Sequence, residues 1–204
     1  FVGEREPDSI AALAAKAVTL IDGELASDRN GRSPEDLTVL NELRESLSAN
    51  RFDTSLGAYG GPSASGANGR QFTLTPQEVQ WLGRHDEDRW LDYLIHRHKI
   101  TLYPARRKLT DFPLHVLLEP TPVCNLRCVM CFQVDKVFSS DRGYMGYMPW
   151  DLFASVVDQA ADHGCQAITL ASRGEPTLHK RFGEMLTYIK DRGILETKIN
   201  TNAT

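Results

Sequence analysis

Apolar residues recur at helical spacing along the first hundred positions of the chain. This spacing predicts a helix over residues 8–21 with Asp8 as its cap, a second helix that begins at Ser33 and a third that begins at Thr75. A proline stands at the first position of the second and third helices, and an acidic residue three places after each cap completes a capping box. The third apolar stripe continues past Gly83, where we expect a break. The first part of the chain is therefore predicted to be mostly helical.

The rest of the chain alternates β-type apolar runs with helical patterns. Between the second and third helices, a Gly-rich segment over residues 57–72 predicts a flexible linker, because so few apolar side chains cannot offset the entropy of ordering it. After the third helix, the predicted elements are strands over 115–121, 167–171 and 197–201, separated by helices over 151–163 and 180–192. This order is typical of parallel strands joined by right-handed crossovers, so we predict the α/β class.

These patterns divide the chain into four parts. We predict a helical N-terminal region over 1–56, the linker over 57–72, a helical segment and connector over 73–113, and an α/β core over 114–204. The chain begins with Phe1 rather than Met and ends just after the third predicted strand, so we expect a fragment of a longer protein.

Composition and charge exclude several classes of protein. The 204 residues carry 23 Lys and Arg against 27 Asp and Glu, a net charge of −4, and this mild acidity argues against a general nucleic-acid binder. No run of about 18 apolar residues occurs, so we expect no transmembrane helix and no membrane partner.

Three of the four cysteines lie within eight residues, on the loop after the first predicted strand. Cys124, Cys128 and Cys131 form a C-x3-C-x2-C pattern, and such thiolates bind either zinc or an iron–sulfur cluster. A structural zinc site takes four protein ligands. The fourth cysteine, Cys165, precedes the second strand, at the opposite end of the sheet, where we expect it to be a small buried residue. Three ligands instead suit a four-iron cluster with one iron left open.

Two further motifs follow the second and third strands. Arg173-Gly174-Glu175-Pro176 comes directly after the second strand, and Thr201-Asn202-Ala203 comes after the third. Loops at the carboxyl ends of adjacent parallel strands converge on one face, so we expect the three motifs to meet.

The three motifs, in this order, resemble those of the radical S-adenosylmethionine (radical SAM) enzymes. That family has a three-cysteine loop, a Gly-Gly-Glu-Pro motif and, in many members, Thr-Asn-Gly. This chain departs from the pattern at Arg173, which we expect to hold a carboxylate or phosphate, and at Ala203. The resemblance covers residues 114–204 and implies the first half of a partial TIM barrel.

The resemblance also implies a set of cofactor contacts. Cys124, Cys128 and Cys131 would bind a [4Fe-4S] cluster, and S-adenosyl-L-methionine would chelate the open iron. The expected contacts to S-adenosylmethionine come from six residues: Met130, Gly174, Glu175, Pro176, Asn200 and Asn202. Gly174 lets the backbone approach the methionine amino group, because it has no Cβ. Asn202 and Asn200 are expected near the ribose or the methionine moiety, and Met130 beside the adenine.

The implied activity is reductive cleavage of S-adenosylmethionine to a 5′-deoxyadenosyl radical, which abstracts hydrogen from a substrate. Peptides, sugars and cofactor precursors are the substrate classes that the resemblance leaves open. It further implies an electron donor such as flavodoxin or ferredoxin, a cytoplasmic location because the cluster needs a reducing compartment, and a SPASM-type auxiliary cluster domain beyond this chain. The alternative is a non-catalytic zinc or iron–sulfur interaction module.

Three further sets of residues have two interpretations each. Seven basic residues are expected either as a solvated helix end or as a surface for an acidic partner: His96, Arg97, His98, Lys99, Arg106, Arg107 and Lys108. Glu119 is expected either inside the barrel or at the surface of a strand end. Tyr144, Met145 and Tyr147 are expected either to cover the cofactor or to pack on the sheet.

Overall fold

The computed structural model describes residues 7–27, 31–49, 71–141 and 143–204. The chain divides into two compact units, residues 1–109 and 110–204. Most of the predicted linker, 57–70, lies outside the described residues. Phe72, at the end of the predicted linker, is buried in the first unit. The four-part division of the sequence stays a prediction.

The described part of the first unit is helical, as its apolar spacing predicted. Its helices are α1 (Pro7–Ala26), α2 (Pro34–Ser48), α3 (Pro76–Leu82) and α4 (Trp90–Arg106). Two predictions are wrong: α1 begins at Pro7, so Asp8 lies inside the first turn and is not the cap, and α1 continues to Ala26, five residues past its predicted end. The cap of α2 is confirmed, because the Ser33 hydroxyl oxygen accepts the Asp36 N–H at 3.1 Å. A complete capping box links Thr75 and Glu78 at α3.

The break predicted near Gly83 is present, because α3 ends at Leu82 and a 3₁₀ turn over Glu87–Arg89 leads into α4. The apolar faces of these helices form the core of the first unit. Its fully buried large side chains include Ile21, Leu40, Leu43, Leu47, Tyr93, Leu94 and Tyr103.

The seven basic residues are not simply a solvated helix end. His96 and His98 are buried in α4. Four of the cations form ion pairs with carboxylates of α2 and α3: Arg97 with Glu78 (2.7 Å), Lys99 with Asp36 (2.7 Å), Arg106 with Glu42 (2.7 Å) and Lys108 with Glu35 (2.6 Å). The cluster therefore joins α4 to its neighbours within the first unit.

The second unit has the α/β order that the sequence predicted. Its strands are β1 (His115–Leu118), β2 (Ala167–Leu170) and β3 (Glu196–Ile199), all parallel and in the order β1-β2-β3. A short helix, α5 (Lys136–Ser140), lies in the loop after β1, and the connecting helices are α6 (Trp150–Asp162) and α7 (Phe182–Asp191). Each strand ends before its predicted limit, so the motif residues lie in loops rather than in the sheet.

One face of the sheet packs against α6 and α7. Its core contains Leu118, Ile168 and Leu170 from the strands, Phe153, Val157 and Ala160 from α6, and Met185 and Ile189 from α7. Leu152 was predicted on this face but is 53% exposed, because it lies about 100° around α6 from Phe153. Cys165 is buried beside this core as predicted, and burial raises the pKa of its thiol. Within the described residues, no helix is long and apolar enough to cross a membrane.

Candidate functional site

The predicted site residues all lie in the loops that follow the three strands. Residues 119–149 follow β1, residues 171–179 follow β2 and residues 200–204 follow β3. The carboxyl ends of parallel strands lie at one edge of a sheet, so the loops converge there. Hydrogen bonds join each of these loops to the others, as described next.

The segment between Pro122 and Gln133, here called the cysteine loop, presents three thiols that form no disulfide. Cys124 and Cys131 are partly exposed and Cys128 is exposed. A turn brings the Cys131 N–H to the Cys128 carbonyl oxygen at 2.9 Å. The Leu126 N–H and the Asn202 side-chain amide both donate to the Cys124 sulfur, at 3.4 Å and 3.8 Å. Two N–H donors are thus directed at the sulfur of one of the three thiols.

The thiols are not gathered as ligands of a single ion. In the part of the chain that is described, no three His, Cys, Asp or Glu side chains surround a common point closely enough to hold a metal ion. The donor set nonetheless fits an iron–sulfur cluster in its chemistry: three free soft ligands on one open loop, with N–H groups directed at one of them.

Gly174 lies directly against the start of the cysteine loop. A Cβ at this position would lie 2.6 Å from the Val123 carbonyl oxygen, 2.5 Å from the Pro122 carbonyl carbon and still closer to the Thr121 carbonyl oxygen. The next residue continues the contact, since the Glu175 N–H donates to the Val123 carbonyl at 2.8 Å. Only glycine permits this approach of two backbones.

The Glu175 carboxylate joins the second loop to the third. The side chain is 1% exposed and accepts four hydrogen bonds, from the Thr177 N–H (3.1 Å) and hydroxyl (2.7 Å), the Thr201 hydroxyl (2.7 Å) and the Asn202 N–H (2.7 Å). Burial alone would raise the pKa of Glu175, but these hydrogen bonds outweigh it and lower the pKa below its usual value. The sequence did not reveal this role of the carboxylate, although a hydroxyl residue two positions after it was a possible signal.

The third loop turns back toward the cysteines. Asn202 donates to Asn125 at 2.9 Å as well as to the Cys124 sulfur. Ala203 has φ +60°, a left-handed conformation that favours glycine, which explains why a Gly at this position suits the motif. Asn200 differs from Asn202: its N–H continues the ladder to Leu170 at 3.2 Å, and its side chain is exposed.

The remaining predicted residues lie at the edges of this arrangement. Met130 is 85% exposed near the end of the cysteine loop. Pro176 is buried and begins a 3₁₀ turn, Pro176–Leu178, that Glu175 caps. Tyr147 packs edge-on against the buried His179, with ring centroids 5.7 Å apart.

Arg173 and Glu119 form an ion pair between the first and second loops. The Arg173 guanidinium donates to both carboxylate oxygens, at 2.5 Å to Oε1 and 2.9 Å to Oε2, and its main-chain N–H donates to Oε2 at 2.9 Å. The hydrogen bond from Arg173 lowers the pKa of Glu119 despite partial burial. Arg173 thus holds a carboxylate, as expected, and that carboxylate belongs to the chain itself. Glu119 lies one residue beyond β1 and is half-buried.

The second unit is therefore an α/β domain with three free thiols after its first strand and with two further loops hydrogen-bonded to that segment. Residues 118–204, somewhat less than half of the chain, match the family model described as the Radical SAM superfamily, so the resemblance predicted from the motifs holds for this part of the chain. The family resemblance and the fold class predicted from the motifs are therefore confirmed.

Two curated relatives match part of the chain. One is the tungsten-containing aldehyde ferredoxin oxidoreductase cofactor-modifying protein of Pyrococcus furiosus, 38% identical over 91 residues, which are 44% of this chain and 24% of the relative. The other is a probable GTP 3′,8-cyclase of Methanococcus maripaludis, 29% identical over 96 residues, which are 47% of this chain and 29% of the relative. The chain thus covers less than a third of either relative. No solved structure matches it significantly.

Proposed function

We propose that the second unit uses Cys124, Cys128 and Cys131 to hold a [4Fe-4S] cluster and binds S-adenosylmethionine at the iron that no cysteine occupies. The observation that carries this proposal is the connection of the three motif loops through Gly174 and Glu175. When bound and reduced by a donor such as flavodoxin or ferredoxin, the cluster supplies the electron that cleaves S-adenosylmethionine to a 5′-deoxyadenosyl radical.

The residues of the chain would bind and orient these groups. The Leu126 N–H and the Asn202 amide donate to the Cys124 sulfur and would orient it as a ligand. The backbone at Gly174 is assigned to the methionine amino group, and the side chains of Asn202 and Asn200 to the ribose or the methionine moiety. Met130 is assigned to the adenine, where its exposed side chain would lose contact with water on binding.

Glu175 and Pro176 have a supporting role in this proposal. The Glu175 carboxylate already accepts four hydrogen bonds within the protein, so it is assigned to holding Asn202 in place rather than to binding the cofactor. Pro176 stiffens the turn that follows. For the substrate we keep peptides, sugars and cofactor precursors, and the name of the Pyrococcus furiosus relative, a cofactor-modifying protein, favours the last class.

Anaerobic reconstitution of the 204-residue chain with iron and sulfide tests the proposal. We expect about four irons per chain and an electron paramagnetic resonance signal of the reduced cluster that shifts when S-adenosylmethionine is added. Cys128→Ser should lose most of the iron. The matched control is Cys165→Ala, which removes a buried thiol outside the loop and should keep the iron and the shift.

Two outcomes would contradict the proposal. Zinc bound in place of iron would favour the non-catalytic metal module. A cluster whose signal is unaffected by S-adenosylmethionine, in a protein with native circular dichroism, would exclude the open-iron site.

A further inference from the structure

Gln133 is a buried side chain that ties the cysteine loop to the loop after β2. It lies two residues after Cys131, in the 3₁₀ turn Phe132–Val134, and is 1% exposed. Its side-chain nitrogen donates to the Pro122 carbonyl and, at 3.1 Å, to the Arg173 carbonyl. One amide group thus contacts the residue that precedes the motif Gly174 and the stem that leads into Cys124.

The chemistry of the two partners determines the orientation of this amide. Both are main-chain carbonyls, which only accept hydrogen bonds, so the NH₂ end must face them. The Gln133 oxygen is then left buried, and among the described residues it has no hydrogen-bond partner. A buried acceptor without a donor is unfavourable. An apolar side chain would avoid this cost, so the two donated hydrogen bonds are what distinguishes glutamine at this position.

The positions of the Gln133 partners along the chain show what these hydrogen bonds do to the loop. Pro122 and Gln133 flank the three cysteines, so their hydrogen bond closes the stem of the loop. The contact with Arg173 adds to the Glu175 N–H bond to Val123 on the same stem. These contacts involve no metal or cofactor, and they order the loop before anything binds to it.

We propose that Gln133 is a positioning residue that holds the cysteine loop closed against the Gly174 segment in the cluster-free protein. It thereby sets the spacing between the cluster ligands and the backbone assigned to the methionine group. This inference rests on the proposed function for its purpose, but the closure of the loop does not depend on it.

Hydrogen exchange of the cluster-free 204-residue chain tests the closure directly. In the wild type we expect protection at the Val123 and Glu175 amides. Gln133→Met keeps an unbranched side chain of similar length but removes the donor, and should raise exchange across residues 123–134 and 174–175 roughly tenfold, while α6 and α7 keep their protection. Gln133→Glu, which places acceptors against both carbonyls, should have at least the same effect.

The control variant is Gln159→Met, which removes an exposed amide from α6 that bonds only within its own helix. It should leave exchange in the cysteine loop unchanged. Unprotected loop amides in the wild type, or wild-type protection in Gln133→Met, would overturn the proposal. Neither result requires iron, so both stand even if the proposed radical function fails.

A second measurement separates positioning from general stability. In reconstituted protein, Gln133→Met should retain its cluster but need roughly tenfold more S-adenosylmethionine to shift the resonance signal. An unchanged cofactor titration, together with a uniform rise in exchange over the whole unit, would reduce Gln133 to a packing residue and overturn the inference.

Discussion

Glu119 and Glu175 are the two carboxylates that anchor the loop after β2. Glu119 holds its first residues through Arg173, and Glu175 holds its last residues and the third loop through Thr201 and Asn202. In both cases hydrogen bonds to the ionised form outweigh burial and lower the pKa. Near neutral pH both carboxylates are therefore ionised and keep their hydrogen bonds. Their contribution to loop order is lost only when acid protonates them.

His98 is an ionisable side chain whose pKa is determined mainly by burial rather than by its hydrogen-bond partner. It is fully buried in the first unit, with Nε2 2.9 Å from Glu42 and the rings of Phe72 and Tyr103 nearby. Burial lowers its pKa to about 4, more than the attraction of Glu42 raises it, and Arg106 and Lys99 add repulsion. The imidazole is therefore neutral in the folded protein at neutral pH.

The folded protein should lose stability between pH 7 and pH 5 because of His98. The unfolded chain binds a proton at this residue near pH 6.5, whereas the folded protein does so only near pH 4. The unfolded state thus takes up protons first, which lowers the free energy of unfolding by about 2 kcal/mol at pH 5. Urea titration of the full chain at both pH values measures this difference.

His98→Leu should shrink that pH dependence, since Glu42 retains its ion pair with Arg106. His163→Gln, at an exposed histidine of the second unit, serves as the control and should keep it. A difference between pH 7 and pH 5 that is the same in His98→Leu as in the wild type would contradict the assignment.

The loops after the strands depend on unusual backbone conformations at a few residues. Ser172 has φ +126° and Ala203 has φ +60°, and both lie where the chain leaves the sheet toward the cysteines. Such conformations cost free energy in non-glycine residues and persist only where neighbouring contacts compensate. Glu119, through Arg173, and Glu175, through Asn202, supply those contacts.

Gly174→Ala should disrupt the junction of the first two loops. The added Cβ would meet backbone atoms of residues 121–123, which cannot move without displacing the start of the cysteine loop. We expect a loss of about 1–3 kcal/mol in the free energy of unfolding, as for other overpacked sites. Urea denaturation of the cluster-free protein gives this value without any metal.

Gly183→Ala is the matched control, because Gly183 lies in α7 with nothing within 4 Å of the added atom. It should stabilise the protein by about 0.5–1 kcal/mol, since alanine favours a helix. Equal effects of the two substitutions would show that the close approach at Gly174 has no energetic consequence.

Across the chain, the proposed ligands and cofactor contacts all lie in the second unit, between Cys124 and Asn202. The first unit contributes none of them, and its buried Glu78 and His98 contact Arg97 and Glu42 of the same unit. A ligand stabilises the structure to which it binds. Binding of the cluster and of S-adenosylmethionine should therefore reduce local opening in the second unit more than in the first.

Loading the 204-residue chain with cluster and S-adenosylmethionine should increase hydrogen-exchange protection in residues 119–134, 171–179 and 200–204. We expect little change in α1, α2 and α4, because no proposed contact lies there. Hydrogen-exchange mass spectrometry of the loaded and cluster-free protein gives the comparison. A comparable gain of protection in α1, α2 and α4 would show that the first unit takes part in cofactor binding.

Helix and strand positions were predictable because they depend on neighbours along the chain. Apolar spacing located α2, α3, α6 and α7 to within two residues at their described ends, and the caps at Ser33 and Thr75 follow from residue type. The prediction failed at both ends of α1, which covers Pro7–Ala26 rather than residues 8–21, at the ends of the strands and at the facing of Leu152. A helix boundary or facing that differs by even one residue changes a cap or exposes a side chain.

The family resemblance was also predictable from the sequence, because the three cysteines and the motifs after β2 and β3 are local patterns. Their order along the chain implies that they meet at one edge of a parallel sheet. The pairs that join those loops were not predictable: Arg173 with Glu119, Glu175 with Thr201 and Asn202, and Gln133 with Pro122 and Arg173. Several of these partners are dozens of residues apart in sequence. They become partners only when the folded chain brings their loops together, because a hydrogen bond depends on distance and direction in space and leaves no periodic pattern along the chain.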